Sequence, residues 1–270
     1  MRQLSLAVLV LAAACASAPK AKPPPPVPEL GPVELSGSQG LTEFKLQLQT
    51  SLKPAEPAHL MGAHVELVVD GNVVKTTDVA LDKALPAGEA TPVELSESGR
   101  YVNSADELKA FDAQGGSLKG ALRGEFTVRQ GEAVQKVEFA RARDIRVPRL
   151  PKVKAKDAEG GKHSDEELQV VLYFQVENPN PFPLNLNRLT YTAAMLGKQM
   201  AERNEGGEKI AASSTDTFEV RFPFDKATWG KDVKAKIKAG TLPWTLAGKL
   251  EGELFEVPFE LSGTLKVSSK

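Results

Sequence analysis

The stretch LKGALRGEF, Leu118 to Phe126, returns 128 positions later as LAGKLEGEL, Leu246 to Leu254, sharing L-x-G-x-L-x-G-E and an apolar end. At the same offset Leu46, Leu48 and Thr50 fall on Phe174, Val176 and Asn178. A single long period of this kind denotes a duplicated domain, since arrays of short units repeat every 20 to 50 residues or so. The surrounding pattern has period two. FKLQLQT (Phe44 to Thr50), HVELVVDG (His64 to Gly71) and LQVVLYFQVEN (Leu168 to Asn178) alternate or run apolar as strands do. Each half also holds one helix signal. SADELKAF sets Ser104 three residues before Glu107, a capping box, and DKATWGKDVKAKI spaces Trp229, Val233 and Ile237 by four behind Asp225. The expected class is all-β: two tandem antiparallel sandwiches of roughly seven strands, each with one short helix.

The N-terminus reads as an address. Arg2 precedes an apolar run from Leu4 to Ala14, and Cys15, the single cysteine of the 270 residues, follows at once. Such a run is too short for a membrane span, which needs ~20 residues, and suits the h-region of a signal peptide. Leu11-Ala12-Ala13-Ala14-Cys15 resembles a bacterial lipobox, although lipoboxes more often carry leucine where Ala12 stands. The resemblance implies removal of residues 1–14 and acylation of Cys15. An exported chain with one cysteine can form no internal disulfide, which fits a lipidated thiol. The other reading is an ordinary secretory peptide with an incidental thiol. Residues 15–32, with Pro23 to Pro26, suit an extended polyproline tether. With Ala16 rather than aspartate after the cysteine, the usual sorting rule implies an outer-membrane lipid anchor in a two-membrane bacterium. The domains would then stand in the periplasm or at the cell surface.

Charge and motif content exclude several classes. Lys plus Arg number 34 against 35 for Asp plus Glu, in no long block of one sign, so no nucleic-acid footprint exists. His59, His64 and His163 are scattered, and no H-E-x-x-H, C-x-x-C or aspartate-rich loop occurs, so neither metal nor cofactor is expected. Serines lack a G-x-S-x-G elbow, and the Gly115-Gly116 and Gly206-Gly207 pairs read as loop glycines. Asp106-Glu107 and Asp165-Glu166 read as helix-start and loop charges. The expectation is a protein without catalytic residues or a small-molecule substrate.

One interruption is conspicuous. VENPNPFPLNL, Val176 to Leu186, sets three asparagines and three prolines into a strand pattern. Asparagine side chains hydrogen-bond nearby backbone and proline presets a turn-compatible φ, so the chain must bend there and resume. The segment VENPNPFPLNLNRLTYTAAMLGKQMAE, the FPF of Phe222 to Phe224 and the closing VPFELSGTLKV together resemble the type 2 late-embryogenesis-abundant (WHy, water stress and hypersensitive response) domain over about Arg146 to Val267. The hallmark is Asn178-Pro179-Asn180-Pro181-Phe182. The resemblance implies an immunoglobulin- or fibronectin-like sandwich, and a stress- or desiccation-protective role without catalysis. The first half departs from the pattern: SLKPAEPAHL keeps Pro54 and Pro57 but has no asparagine. The expected division is a diverged copy over 33–148 and a clear one over 149–270.

Two functions fit these readings. One is a structural or protective envelope lipoprotein. The other is a periplasmic module holding a lipid or other apolar ligand, suggested by the aromatics of TLPWTLAG and FPFDKATWG, although core packing is the simpler account of Trp229 and Trp244. The turn residues Asn178 and Asn180 are expected to be structural. The Lys-, Gly- and acid-rich stretch RLPKVKAKDAEGGKHSDEE is expected to be the break between domains.

Overall fold

A computed structural model describes residues 25–162, 167–225, 235–236, 239 and 241–265. Side-chain surroundings are described for all of these except residues 160–162, 167–169, 200, 205 and 222–225. The described chain is built from antiparallel sheets and one complete helix.

In the first half, β1 (Glu29–Leu30) and β2 (Glu34–Gln39) lie end to end along one edge of β3 (Glu43–Lys53), whose other edge pairs with β6 (Thr91–Arg100). The second sheet runs β5 (Asn72–Leu85), β4 (Ala58–Val69), β7 (Ser117–Gln130), β8 (Ala133–Arg146). β3 alternates strictly, with Phe44, Leu46, Leu48 and Leu52 buried and Lys45, Gln47 and Gln49 exposed. Those buried faces meet Leu60, Val65 and Leu67 of β4, Leu122, Phe126 and Val128 of β7, and Phe139 of β8 in one core. Two sheets sharing one core make a sandwich.

The second half repeats the strand order. β9 (Lys152–Lys162), β10 (Glu167–Glu177) and β15 (Thr215–Asp225) form the three-stranded sheet. The four-stranded one runs β13 (Lys198–Glu205), β12 (Arg188–Met195), β16 (Leu242–Glu251), β17 (Glu256–Leu265). Between β10 and β12 the small strand β11 (Leu184–Leu186) pairs with β14 (Glu208–Ile210). The core of this half gathers Val170, Leu172, Phe174 and Val176 with Tyr191, Met195, Trp244 and Leu246. In both halves the fourth strand of the larger sheet covers a glycine of its neighbour. A Cβ on Gly124 would strike His64 O at 1.9 Å, with the Phe139 ring at 3.1 Å. One on Gly248 would strike Thr190 O at 2.2 Å, with the Phe259 ring at 2.8 Å. The missing side chain lets the neighbouring ring close over the sheet.

This equivalence shifts the expected alignment. By environment Gly124 matches Gly248, since Gly124 pairs with Val65 and Phe139 while Gly248 pairs with Tyr191 and Phe259. The constant offset of 128 instead sets Gly124 on Gly252, beyond the end of β16. Loops of unequal length between strands slide one half against the other, and repeated letters do not record that.

Helix α1 (Ala105–Gln114) begins at Ser104, whose hydroxyl accepts from the Glu107 N–H at 3.2 Å, while the Glu107 carboxylate accepts from the Asn103 N–H at 2.6 Å. It ends at Gly115, φ 65°, whose N–H reaches Phe111 O at 2.8 Å. The second expected helix, with Trp229, lies outside the described residues except for Ala235 and Lys236, which are helical. The stretch expected as the interdomain break is different in kind. Lys152–Lys162 is edge strand β9, and the crossing is confined to Val147–Pro151. Lysines along an edge strand discourage pairing with other chains, which is why the composition imitates a linker. At the other end, the last residues of the expected tether lie against the first half. Gln135 donates to Pro25 O, Pro28 is buried and Glu29–Leu30 pair with β3.

Candidate functional site

The asparagine turn follows β10 directly. Pro179, Pro181 and Pro183 carry no N–H and cannot extend a ladder, so the chain leaves the sheet there with carbonyls in need of donors. Asn178 supplies them. Its side-chain amide donates to Phe182 O at 2.8 Å and Ala211 O at 2.9 Å, with a longer contact to Ile210 O at 3.4 Å. Its Oδ1 accepts from both the backbone N–H and the side-chain amide of Asn180, each at 3.0 Å. Asn178 N–H meets Ser214 O, and Ser213 N–H meets Asn180 O, both at 2.8 Å. Both asparagines are 1% exposed, so neither side-chain amide could turn to water if a partner were removed. Phe182 is buried at the same turn. Pro179 and Pro181 instead line a groove of about 420 Å³ at the junction of the halves, with Ser117, Arg146 and Arg149 on its other side.

Asn180 faces away from its own half. Its Oδ1 accepts from Arg149 N–H at 2.7 Å and its amide donates to Arg149 O at 2.8 Å, the two-point reading one strand makes of another. The Arg149 guanidinium in turn donates through Nε to Asp112 Oδ1 on α1 at 2.8 Å, and Leu150 N–H reaches the same oxygen at 3.1 Å. Sequence reasoning missed Arg149 and Asp112, which lie 31 and 68 positions before Asn180 with no motif to join them.

The other singled-out residues do not converge. Cys15, His163, Asp165 and Glu166 lie outside the described residues. His59 pairs with Asp82 at 2.6 Å and His64 with Asp78 at 2.7 Å, each across β4 and β5 on the exposed face of that sheet. The groove beside His64, about 560 Å³, is lined by Gly62, Ala63, Asp78, Glu125 and Thr127, a mixture of small and charged groups. Among the described residues no three His, Cys, Asp or Glu side chains are grouped to hold a metal ion. No described helix is long and apolar enough to cross a membrane. Trp244 is 7% exposed, with its ring against Gly263. Tyr101 is half-buried and donates to Gly40 O, and desolvation, followed by the nearby Glu43 carboxylate, pushes its phenol well above the usual range.

The fold and the turn therefore define a β-sandwich protein whose described residues include a buried, backbone-binding asparagine pair. Residues 173–265 match the family described as Late embryogenesis abundant protein, a match that begins in β10, contains the whole turn and ends in β17. No curated protein matches the chain. Among solved structures, a protein from Archaeoglobus fulgidus is similar at 17% identity and TM-score 0.30, covering 44% of this chain and 96% of that one. Red sea bream transglutaminase is similar at 13% identity and TM-score 0.30, covering 88% of this chain but 31% of its own. A β-glucuronidase 2 of Bacteroides uniformis reaches 10% identity and TM-score 0.32, covering 84% of this chain and 26% of its own. The chain thus spans under a third of the length of either enzyme, and likenesses this low carry no activity across.

Proposed function

We propose that this chain is a non-enzymatic envelope lipoprotein whose duplicated late-embryogenesis-abundant type 2 sandwiches serve a structural or stress-protective role. The observation that carries the reading is the family match over residues 173–265, with Asn178 and Asn180 committed to backbone carbonyls and N–H groups of their own chain. Duplication is supported by the similar pairing order, β5-β4-β7-β8 against β13-β12-β16-β17, and by the paired environments of Gly124 and Gly248. In the first half the asparagine turn has been replaced. The envelope address rests on the apolar run ending at Cys15. Acyl chains gain ~0.8 kcal/mol per buried CH₂, so two or more hold a protein stably where one is marginal. Cys15→Ala should therefore move the protein from the membrane fraction to the soluble one, or stall its processing. Unchanged fractionation sinks the anchor. Deleting the protein should lower survival through drying and rewetting, and survival equal to that of the parent strain removes the protective role while leaving the anchor untouched.

A further inference from the structure

The crossing from first to second half is held from both sides. On the first-half side, Val147 N–H reaches Gly116 O at 3.1 Å, and the Asp112 carboxylate of α1 takes both Leu150 N–H and the Arg149 guanidinium. On the second-half side, Asn180 takes the Arg149 N–H and C=O, and Asn178 braces Asn180. Five residues of crossing chain, Val147–Pro151, thus touch both halves through charge-assisted and backbone hydrogen bonds. A free linker would leave its backbone to water.

The apolar packing follows the same line. Val102 and Leu108, both 0% exposed, belong by sequence to the first half but sit in the core of the second. Leu41, Phe111 and Leu150 pack against that core as well, and Tyr101 packs against both cores. An aromatic series runs through the junction. Phe44 of the first core stacks on Tyr101 at 5.6 Å, and Tyr101 meets Phe111 edge-on at 6.5 Å. Helix α1 is accordingly a wedge shared by the two halves, capped at Ser104 and terminated at Gly115 so that Asp112, in its last turn, faces the crossing.

We propose that the asparagine turn, Arg149 and Asp112 form a latch that locks the two sandwiches into one rigid body. In this chain the turn's second asparagine serves as a receptor for an extended backbone, and the occupant is the chain's own Val147–Leu150 segment. This goes beyond the envelope reading and needs no anchor. Its consequence is mechanical: the far pole of the second half sits at a fixed distance and angle from the first, and the junction groove bounded by Arg146, Arg149, Pro179 and Pro181 keeps one shape.

The test is amide hydrogen exchange, with calorimetry, on the full chain. In the wild type the Arg149 and Leu150 amides should be protected and both halves should unfold in one transition. Asp112→Ala removes an acceptor on the helix surface and opens neither core. It should speed exchange at Leu150 and, through the shared guanidinium, at Arg149 by roughly five- to a hundredfold, and should split the transition in two. Asn180→Asp keeps the acceptor for Arg149 N–H but loses the donor to Arg149 O, and should give the same split from the other side. Because the first variant leaves the buried turn whole, it remains readable if the second fails to fold. Wild-type amides at Arg149 and Leu150 exchanging as fast as an unstructured peptide overturn the latch. So does Asp112→Ala with unchanged exchange at Arg149 and an unchanged transition.

Discussion

The two halves turn the same corner by different chemistry. In the first, the corner between β3 and β4 is Lys53-Pro54-Ala55-Glu56-Pro57, exposed except for Pro54, and two of its carbonyls are met from a neighbouring loop and from the end of β7. Gly88 N–H reaches Pro54 O at 2.7 Å and the Gln130 amide reaches Glu56 O at 3.3 Å. In the second, the corner between β10 and β11 is Asn178–Pro183, packed against the crossing segment. Where a corner is exposed, proline sets the bend and single donors from neighbouring segments or solvent can meet its carbonyls. Where another part of the molecule covers it, every carbonyl needs a protein donor, and an asparagine amide is the smallest side chain that brings two donors and an acceptor to one point. The difference teaches that the asparagines mark what is packed on a turn as much as the turn itself.

That comparison breaks most directly at Asn178. Asn178→Ala strips the donor from the buried Phe182 carbonyl and from Ala211 O and the acceptor from Asn180, and should cost about 3 kcal/mol in denaturant unfolding of the full chain, at about 1–3 kcal/mol per buried group left unmet. Glu56→Ala at the exposed corner should stay within about 0.5 kcal/mol, as indifferent surface changes do. Equal losses at the two sites would remove the distinction between them. Next are Gly124→Ala and Gly248→Ala, where the halves should behave alike. Each new methyl meets a carbonyl oxygen at 1.9 or 2.2 Å, and each should destabilise by about 1–3 kcal/mol, measured by the same unfolding curves. A large loss at only one position would argue against the structural equivalence of these two strands.

A smaller effect is expected at the wedge. Ser104→Ala removes the α1 cap and should cost about 1 kcal/mol. Since Leu108 lies in the second core, exchange protection should fall in β10 and β16 as well as in the helix. Protection lost in the helix alone would confine α1 to the first half. The smallest effect is electrostatic. A hydrogen bond from Lys154 holds the Glu177 carboxyl below its usual range, and one from Lys249 does the same for Glu251. A carboxyl depressed on folding contributes stability that is fully present above its unfolded value, near 4.3, and is lost as pH falls through the lower folded value. Glu177→Gln with Glu251→Gln should therefore flatten the acid limb of stability against pH below about 4.3. They should leave neutral stability nearly unchanged, because both pairs lie at the surface and are solvent-screened. A limb of unchanged steepness would assign the acid response to other carboxylates.

Much of this was legible in the residues. The strict alternation of β3 announced one buried face, and Ser104 with Glu107 announced a helix start, because strand faces and caps depend on residues a few positions apart. The proline and asparagine run announced a bend for the same reason, and it includes the candidate site. The misjudged features all depend on distance. The register between β7 and β16 slid because the connecting loops differ in length. The Lys-rich stretch imitated a linker because a strand at the edge of its sheet, as β9 is among the described residues, is solvated as a linker is.

By itself, then, the sequence determined the period-two strands, the capped helix and the corner at Asn178, each written in local sterics and hydrogen-bonding capacity. Only the tertiary structure decided which half owns Val102 and Leu108, and that Asn180 would grip Arg149 while Arg149 gripped Asp112. Those choices follow from which apolar faces meet once the chain closes and from which buried carbonyls water can no longer reach. Neither is a property of any short stretch of residues.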